Sequence, residues 1–479
     1  MSYQINLRIH GHSCLELRTT TDIILFDPWL KGSAYWRSWW NFPEQKNIEE
    51  LISEISNVEN IYVYITHLHW DHFHGPSLRI LYREIPKIKF LIPKVPETRL
   101  KNDLLKILGN KINIIEINHG QLYIVSPNIK IQPFLAGPIL TDSAVLINCD
   151  NNYILNLNDS KQQKLMINQI KSNFREGKLK VMLRSHASAN SRVCQRNRDG
   201  GVKLKADKKI EEYSKEFLLT ARIFKPEVAI PFASNMCYLH KDTYKYNFYS
   251  NTSDKLLKFY RENIEYSDIN LKLILPGEKL NVNDLKISEN KTSRNQLFSD
   301  RYQVLKSYRE KYKKKIERSE FIQGKGSFSE IIFKKYFYNV FKYTPFIISK
   351  LVHGKVAFIE KKDHIYNKFF IVDMRRKKIF LNAISYDDCE TLIIVRPGVL
   401  NSCLMQNNLN SLGISKLLEV RSSSIRQYNL FFAICVASEI GSYPFISIKQ
   451  SIRSFKIWIR RFREIIDYIL IILRFNKLI

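Results

Sequence analysis

The sequence predicts an α/β protein in which two β-sheets pack face to face between outer helices, followed by a smaller α+β domain. In the N-terminal half, short apolar β-rich runs alternate with segments of helical spacing, the pattern of a layered α/β fold. At 288–319 the composition becomes charged and polar, and strand-rich sequence then resumes. A chain of 479 residues is also too long for one compact core. We therefore predict a layered α/β domain over 1–287, a charged helical linker over 288–319 and an α+β domain over 320–479.

Each element of the first domain follows from its local pattern. Residues 5–30 predict two strands, INLRIHGHSCLELRT and DIILFDPWL, joined by a polar turn. Helical spacing over 47–58 precedes NIYVYI, an apolar run that predicts a buried strand. Helices are also predicted over 161–173 and 210–224. Further strands are predicted at KIKFLIP, INIIEI, LYIV, IKIQPFL, SAVLINC, NYILNLN and LKVMLRS.

The second half begins with SYREKYKKKIERSE, which predicts a solvated helix. Four runs then predict consecutive antiparallel strands, with Met374, Arg375 and Arg376 at a hairpin tip: KVAFIEKK, KFFIVDM, KKIFLNAI and ETLIIVR. The C-terminal segment, SIRSFKIWIRRFREIIDYILIILRFNKLI, predicts a basic amphipathic helix. It either packs on its own domain or makes peripheral contact with an anionic membrane surface.

The charge balance is the feature of the composition that bears on partners. A net charge of +29 favours an anionic partner, although Lys-rich faces also keep ordinary helices soluble. The basic residues are spread through both halves without a recognition motif, so nucleic acid is not favoured. An anionic small-molecule substrate is the partner we expect.

Cysteine usage and hydropathy predict a cytoplasmic protein. The seven cysteines are scattered and none forms a CxxC pair, which argues against a disulfide framework or a zinc ribbon. The N-terminal MSYQINLRIHGHS lacks an apolar signal core, and no stretch reaches about 18 consecutive apolar residues.

A cluster of metal-ligand residues directly follows the buried strand NIYVYI. His67, His69, Asp71 and His72 lie within six positions, in a turn where their side chains can converge. Imidazole and carboxylate are the ligand set for zinc, iron or manganese. The first two residues share a side in extended backbone, and the next two follow as the chain bends. The cluster therefore predicts one or two divalent ions, with zinc as the first expectation.

The motif THLHWDH resembles the HxHxDH signature of the metallo-β-lactamase superfamily. The opening segments Gly11–Cys14 and Leu25–Leu30 are similar to its UlaG-like lactonase branch. Three further blocks resemble the lactamase-fold part of CMP-N-acetylneuraminate hydroxylase: DPWLKGSAYWRSWWNFPE, TDSAVLINCDNNYILNLNDS and LLTARIFKPEVAIPFASNMCYL. The resemblance covers about residues 3–285 and does not include the Rieske domain, because no CxH…CxxH pair precedes Gly11.

The resemblance implies a role for each matched residue. His67 and His69 take the first-metal positions, and Asp71 and His72 take the second. Asp159, after the strand NYILNLN, stands where the superfamily has its bridging aspartate. Asp27 is similar to the buried aspartate that braces the histidine loop, the orienting role that ligating histidines need.

Two superfamily positions lack their histidine in this sequence. The strand before Asp142 and the strand ending near Phe232 both end without one. The residues that can complete the ligand set are His12, Asp142, His186 and His240. A carboxylate-rich set would suit iron as well as zinc.

These residues support three functions. The first is a hydrolase that uses a metal-bound hydroxide on an anionic, sugar- or nucleotide-linked substrate, with Asp71 or Asp159 as proton acceptor. The second is an iron-dependent oxygenase with an external electron donor, which the hydroxylase resemblance implies. The third is a degenerate fold that serves as a binding module. The residues that we expect to contact the substrate, by aromatic stacking or anion binding, are Trp36, Arg37, Trp39, Trp40 and Arg184. Alternatively, the aromatic stretch that contains Trp36, Trp39 and Trp40 is a hydrophobic plug over the sheet edge.

Overall fold

The computed structural model describes residues 4–439, except 46–47, 96–97, 137–141, 161, 163, 175–176, 188–190, 202–209, 363–367 and 382–384, together with positions 455, 459 and 462. In chain order its strands are β1 (Asn6–Ile9), β2 (Leu15–Arg18), β3 (Asp22–Phe26), β4 (Ser33–Ala34), β5 (Trp39–Asn41), β6 (Asn60–Tyr64), β7 (Lys89–Pro93), β8 (Asn113–Ile117), β9 (Tyr123–Ser126), β10 (Ile129–Leu135), β11 (Ser143–Cys149), β12 (Asn152–Asn158), β13 (Leu179–Arg184), β14 (Gln195–Arg196), β15 (Val228–Pro231), β16 (Met236–Tyr238), β17 (Lys279–Asn281), β18 (Ile287–Ser288), β19 (Val356–Glu360), β20 (Phe369–Asp373), β21 (Lys378–Phe380), β22 (Thr391–Val395) and β23 (Leu418–Ser422). Its helices are α1 (Ile48–Ile55), α2 (Gly75–Glu84), α3 (Arg99–Leu108), α4 (Lys164–Lys171), α5 (Ile210–Phe224), α6 (Ser253–Glu262), α7 (Lys291–Phe298), α8 (Arg301–Lys311), α9 (Lys313–Gly324), α10 (Glu330–Tyr343), α11 (Phe346–Lys350), α12 (Pro397–Met405), α13 (Leu409–Ser415) and α14 (Ile425–Glu439).

Two mixed sheets form an αββα sandwich in the N-terminal part of the chain. One sheet has the strand order β18-β17-β1-β2-β3-β6-β7-β8, and the other has the order β15-β13-β12-β11-β10-β9. Apolar side chains from both sheets, such as Phe26 and Ile154, form the core between them. Helices α1–α3 cover the outer face of the first sheet, and α4–α6 cover that of the second. The predicted αββα architecture is confirmed, and we call this part the sandwich.

The first predicted strand of the sandwich is two strands. The run INLRIHGHSCLELRT divides into β1 and β2, which pair antiparallel around the turn at Gly11, His12 and Ser13. A β-carbon on Gly11 would lie 2.6 Å from the Asn41 side-chain oxygen, so any other residue there must displace that side chain. This turn brings His12 to the end of the sheet that carries the histidine loop.

The C-terminal unit, comprising β19–β23 and α10–α14, is built on a sheet of order β14-β23-β22-β19-β20-β21. The predicted hairpin at Met374–Arg376 joins β20 and β21. The prediction of consecutive antiparallel strands is wrong for β22, which returns to pair parallel with β19. Helices α10, α12, α13 and α14 cover one face, with Phe337, Leu400 and Phe431 in the core.

Helices α7–α9 occupy the segment that was predicted as a solvated linker helix. That helix is broken at Tyr312, between α8 and α9. Leu305, Tyr308 and Ile316 are buried against Trp40 and its neighbours in the sandwich, because their spacing forms an apolar stripe within the charged sequence. The segment is therefore docked, and the predicted boundaries at 287 and 319 stay a prediction.

The two units also share a sheet, since β14 leaves the sandwich and pairs parallel with β23. Within the described part of the chain, no helix has both the length and the apolar character needed to cross a bilayer. Apart from three isolated positions, the predicted C-terminal amphipathic helix lies outside the described residues.

Candidate metal centre

The histidine loop begins where β6 ends and is held by Asp27 at the end of the neighbouring strand. Strands β3 and β6 are parallel, so their carboxyl ends meet at one edge. The Thr66 backbone N–H donates to Asp27 Oδ1 and the Thr66 hydroxyl donates to Oδ2, both at 2.7 Å. His72 Nδ1 lies 2.8 Å from the same Oδ2. Asp27 therefore lies behind the loop, where the resemblance implies it. That it orients metal ligands stays a prediction.

Two carboxylates reach the loop from the second sheet. Asp142 directly precedes β11 and Asp159 directly follows β12, and these strands are antiparallel neighbours, so both carboxylates lie at the same edge. Asn158, which has a positive φ of 41°, donates to the Ser143 carbonyl at 2.6 Å and accepts from the Asp159 backbone N–H at 2.6 Å. This turn directs Asp159 towards the histidines.

Seven ligand-type side chains form three overlapping groups, within each of which one ligand atom per residue lies within 4.8 Å of the others. His67 Nε2 is 2.7 Å from His69 Nδ1 and 4.0 Å from Asp142 Oδ1. Asp159 Oδ1 lies between two histidines, 3.8 Å from His67 Nε2 and 3.4 Å from His72 Nε2. The groups are His67, His69 and Asp142; His67, His72 and Asp159; and His12, Asp71 and His72.

The third group includes a histidine that is far away in sequence. His12 Nε2 is 3.1 Å from Asp71 Oδ2, and His72 Nε2 is 3.6 Å from the same oxygen. The other oxygen of Asp71 accepts from the Tyr35 hydroxyl at 2.5 Å. Burial and the neighbouring Asp71 carboxylate hold the pKa of Tyr35 well above its ordinary value, so Tyr35 remains a donor. The sequence gives no signal for this contact, because Tyr35 lies 36 positions before Asp71.

The donor atoms of the cluster fit divalent cations. His72 Nε2 and Asp159 Oδ1 are buried atoms without a hydrogen-bond partner among the described residues, an unfavourable state that a shared cation would relieve. Burial raises the pKa of Asp159, but His72 and His67 outweigh it and hold that pKa below its ordinary value. Burial followed by the His72 charge lowers the pKa of His67. The carboxylate is thus ionised and the His67 imidazole is neutral, the forms that bind metals.

The two-sheet sandwich, with the HxHxDH loop at a strand end and an aspartate from the opposite sheet, decides the fold of this part of the chain. The sandwich has the metallo-β-lactamase fold. The predicted resemblance is also found in sequence comparisons, although no family model matches the chain.

The sequence relatives match only a segment of the chain. CMP-N-acetylneuraminic acid hydroxylase of Danio rerio is 34% identical over 91 residues, which is 19% of this chain and 14% of that protein. The hydroxylase of Cricetulus griseus is 26% identical over 159 residues, 33% of this chain and 27% of the relative. The matched segment is therefore well under two thirds of each relative's length, and their activity is not transferred with it.

Solved structures align with more of the chain than the sequence relatives do. YhfI of Bacillus subtilis, a metallo-β-lactamase fold protein, aligns over 57% of this chain and 96% of its own at 12% identity and a TM-score of 0.35. Tm1679, a metal-dependent hydrolase of the β-lactamase superfamily, aligns over 58% of this chain and 98% of its own at 8% identity and a TM-score of 0.33. The fold assignment depends on the sheet order and the loop described above.

Two histidines of the superfamily ligand pattern are missing from this chain, and the structure places another residue in each of the two ligand groups concerned. Asp142 lies with His67 and His69, where the resemblance implies a third histidine. His12 lies with Asp71 and His72. Both residues are among the predicted additional ligands.

His186 and His240, the other two, lie elsewhere. The His186 ring is buried beside the Ser253 hydroxyl at 3.3 Å, and His240 Nε2 is 2.9 Å from Gln323 Oε1. Neither belongs to a described ligand group. Burial lowers the pKa of His186 to about 3 and that of His240 to about 4, so both are neutral interior side chains.

The predicted substrate contacts divide between a cavity and the interior. A cavity of 1730 Å³ runs between the sandwich and the C-terminal unit, and its wall includes His69, Asp142, Trp36, Arg37 and Trp40. Trp39 and Arg184 are not part of this wall.

Contacts elsewhere in the protein explain why Trp39 and Arg184 do not line the cavity. Arg184 is buried and donates to Gln162 and Glu216, which fixes it inside the second sheet. Trp39 is 2% exposed, and its indole N–H donates to the Ile414 carbonyl of the C-terminal unit at 3.1 Å. The Trp36 indole N–H likewise donates to the Ser402 hydroxyl at 3.0 Å. Trp36 and Trp39 thus take part in docking one unit on the other. The substrate and plug roles of the aromatic stretch stay predictions.

Proposed function

We propose that this protein is a metal-dependent hydrolase that acts on an anionic, sugar- or nucleotide-linked substrate. The observation that carries the proposal is the convergence of seven ligand-type side chains from both sheets on one edge of the sandwich. His67, His69 and Asp142 would hold one divalent cation, His12, Asp71 and His72 would hold a second, and Asp159 would lie between them. Such ions lower the pKa of bound water and polarise the bond that is cleaved.

The residues of the chain itself would orient the reaction and accept the proton. Of the two predicted proton acceptors, the Asp159 side chain is 24% exposed, whereas that of Asp71 is 4% exposed and bonded on both oxygens. Asp159 is therefore the better placed acceptor for a proton from water. Tyr35 and His12 would keep Asp71 fixed.

The cavity supports the substrate class. Its 1730 Å³ exceeds the ~300–1,000 Å³ of an ordinary ligand pocket, so it has room for a nucleotide sugar or a molecule of similar size. Its wall contains more basic than acidic side chains, which favours an anion: Lys31, Arg37, Arg79, Arg99, Lys106, Lys311 and Lys315 against Glu44, Asp103, Asp142 and Glu439. The ring centroids of Trp36 and Trp70 lie 4.8 Å apart in the same wall and offer a stacking surface.

The test uses protein purified without chelator and bis(p-nitrophenyl) phosphate as the anionic probe. We expect turnover that is lost after dialysis against chelator and restored by zinc or manganese. Asp159→Asn should reduce this turnover at least ~100-fold, the lower range for a lost proton acceptor. Asp150→Asn, in the exposed turn between β11 and β12, is the matched control and should leave it unchanged. Metal-independent turnover, or full activity of Asp159→Asn, would contradict the proposal.

An iron-dependent oxygenase is the second candidate. It is supported by three carboxylates in the ligand groups and by the sequence similarity to the CMP-N-acetylneuraminic acid hydroxylases. It would require an electron donor from outside the described residues. Iron in the purified protein, with oxygen uptake that depends on an added reductant, would favour this candidate over the hydrolase.

A further inference from the structure

The His69 ring contacts both units of the protein. Its Nδ1 lies 2.7 Å from His67 Nε2, inside the ligand cluster. Its Nε2 lies 2.7 Å from Nδ2 of Asn410, which is 341 positions away, on α13 of the C-terminal unit. A residue of the C-terminal unit therefore touches a candidate ligand of the first cation.

The chemistry of imidazole defines what this contact must do. A neutral ring carries one proton, so when Nδ1 faces a cation the proton lies on Nε2 and that nitrogen donates. The partner must then accept, and the Asn410 amide does so after a half-turn that places its oxygen where Nδ2 now faces the ring. The oxygen and nitrogen of an amide exchange places by a half-turn without moving the heavy-atom positions.

Asn410 is held in place because α13 is anchored at both ends. At its C-terminal end, the Trp39 indole N–H donates to the Ile414 carbonyl at 3.1 Å, and the Ser38 hydroxyl donates to the Ser415 carbonyl at 2.6 Å. At its N-terminal end, the Glu439 carboxylate accepts from the Leu409 backbone N–H at 2.5 Å.

A sandwich residue also fixes the approach to α13. The Arg99 guanidinium of α3 donates to the Gln406 and Asn407 carbonyls at 3.1 and 2.7 Å. With both ends tied to fixed partners, little rotamer or backbone freedom is left to lose when Asn410 meets His69. The contact is thus pre-organised by the docking of the two units.

We propose that Asn410 is a positioning residue that accepts the Nε2–H of His69, so that the C-terminal unit completes the metal centre of the sandwich. This inference rests on the proposed function only for the presence of a cation at His67 and His69. Partners of this kind fix the ring and the position of its proton, and losing one typically weakens metal binding by roughly 10- to 100-fold.

The test measures cobalt(II) affinity by competition with a chromogenic chelator, together with the visible absorption of the bound cobalt. The full-length protein is compared with Asn410→Ala, Asn410→Asp and the control Met405→Ala. Met405 is exposed in the same cavity wall and makes no described contact with His69. Asn410→Ala should lose roughly 10- to 100-fold in affinity for the first ion and change its absorption bands. Asn410→Asp retains an acceptor and should bind within about threefold of the unmodified protein or more tightly.

Two results would overturn the inference, and a third concerns the proposed function alone. Unchanged cobalt affinity in Asn410→Ala would show that the contact does not position His69. Equal losses in Asn410→Ala and Asn410→Asp would show that Asn410 donates, so that Nδ1 carries the proton. If the unmodified protein takes up no cobalt, the proposed metal-dependent function itself is wrong. Because Asn410→Ala should still bind cobalt, with changed absorption bands, a positioning effect is distinguished from a folding defect, which would abolish binding.

Discussion

Replacing Asp27 by asparagine tests whether the brace behind the histidine loop controls metal binding. Asp27 is fully buried, and its two oxygens accept from the Thr66 N–H, the Thr66 hydroxyl and His72 Nδ1 within 2.8 Å. The amide keeps the size of the side chain and one acceptor. It also places an N–H₂ group opposite His72 Nδ1, which then must accept and therefore moves its proton to Nε2. That nitrogen lies 3.4 Å from Asp159 in the cluster and is lost as a ligand.

The magnitude follows from the bond that is lost. A buried hydrogen bond to a charged group is worth ~1.5–3 kcal/mol, which corresponds to a roughly 10- to 150-fold change in an equilibrium constant. We therefore expect zinc affinity at the His72 position to fall by about this factor in a chelator competition titration. Asp150→Asn, an exposed aspartate, should bind as the unmodified protein does. Unchanged zinc affinity in Asp27→Asn, with the protein folded, would refute the orienting role of Asp27.

Three further changes test the surroundings of the site. Burial lowers the pKa of Lys416 to about 8 from 10.5, so the charge is costly at pH 7. Lys416→Met should raise the free energy of unfolding at pH 7 by up to ~3 kcal/mol in urea titrations and lose this advantage above pH 10; an equal or lower free energy of unfolding at pH 7 would contradict this prediction. Burial raises the pKa of Glu439 to about 7 from 4.5, so the stability that this group contributes is fully present below pH 4.5 and is lost as the pH rises through 7. Glu439→Gln should remove this part of the dependence of the urea midpoint on pH, and an unchanged dependence would contradict the prediction. Gly11→Ala places a β-carbon 2.6 Å from Asn41 Oδ1 and should displace His12. Calorimetric titration should then find weaker zinc binding at the His12, Asp71 and His72 position, and an affinity equal to that of the unmodified protein would exclude a role of Gly11 in placing His12.

The histidine loop was predictable because its ligand-type residues lie within six positions and directly follow an apolar strand. Asp159 was predictable for a related reason, since it ends a strand that the apolar pattern identifies. His12 and Asp142 were only two of four candidates, because their selection depends on which strand ends share an edge. His186 was a reasonable candidate by spacing, but the fold turns it into the interior.

Asn410 was not predictable from the sequence. It lies in a polar segment without a motif, and its contact arises from the docking of two units. The pairing of β22 with β19 was missed for a similar reason, because a parallel return next to an earlier strand leaves no local signature. The packing of α8 and α9 was obscured by lysines and arginines that surround their buried Tyr308 and Ile316.

The metal content of the purified protein tests the central claim most directly. Elemental analysis of protein prepared without chelator should find about one or two divalent ions per chain. The His67→Ala, His69→Ala double variant should lose metal, whereas His353→Ala, which changes an exposed histidine, should retain it. Equal metal content in the double variant and the unmodified protein would contradict the assignment of this cluster as the metal centre.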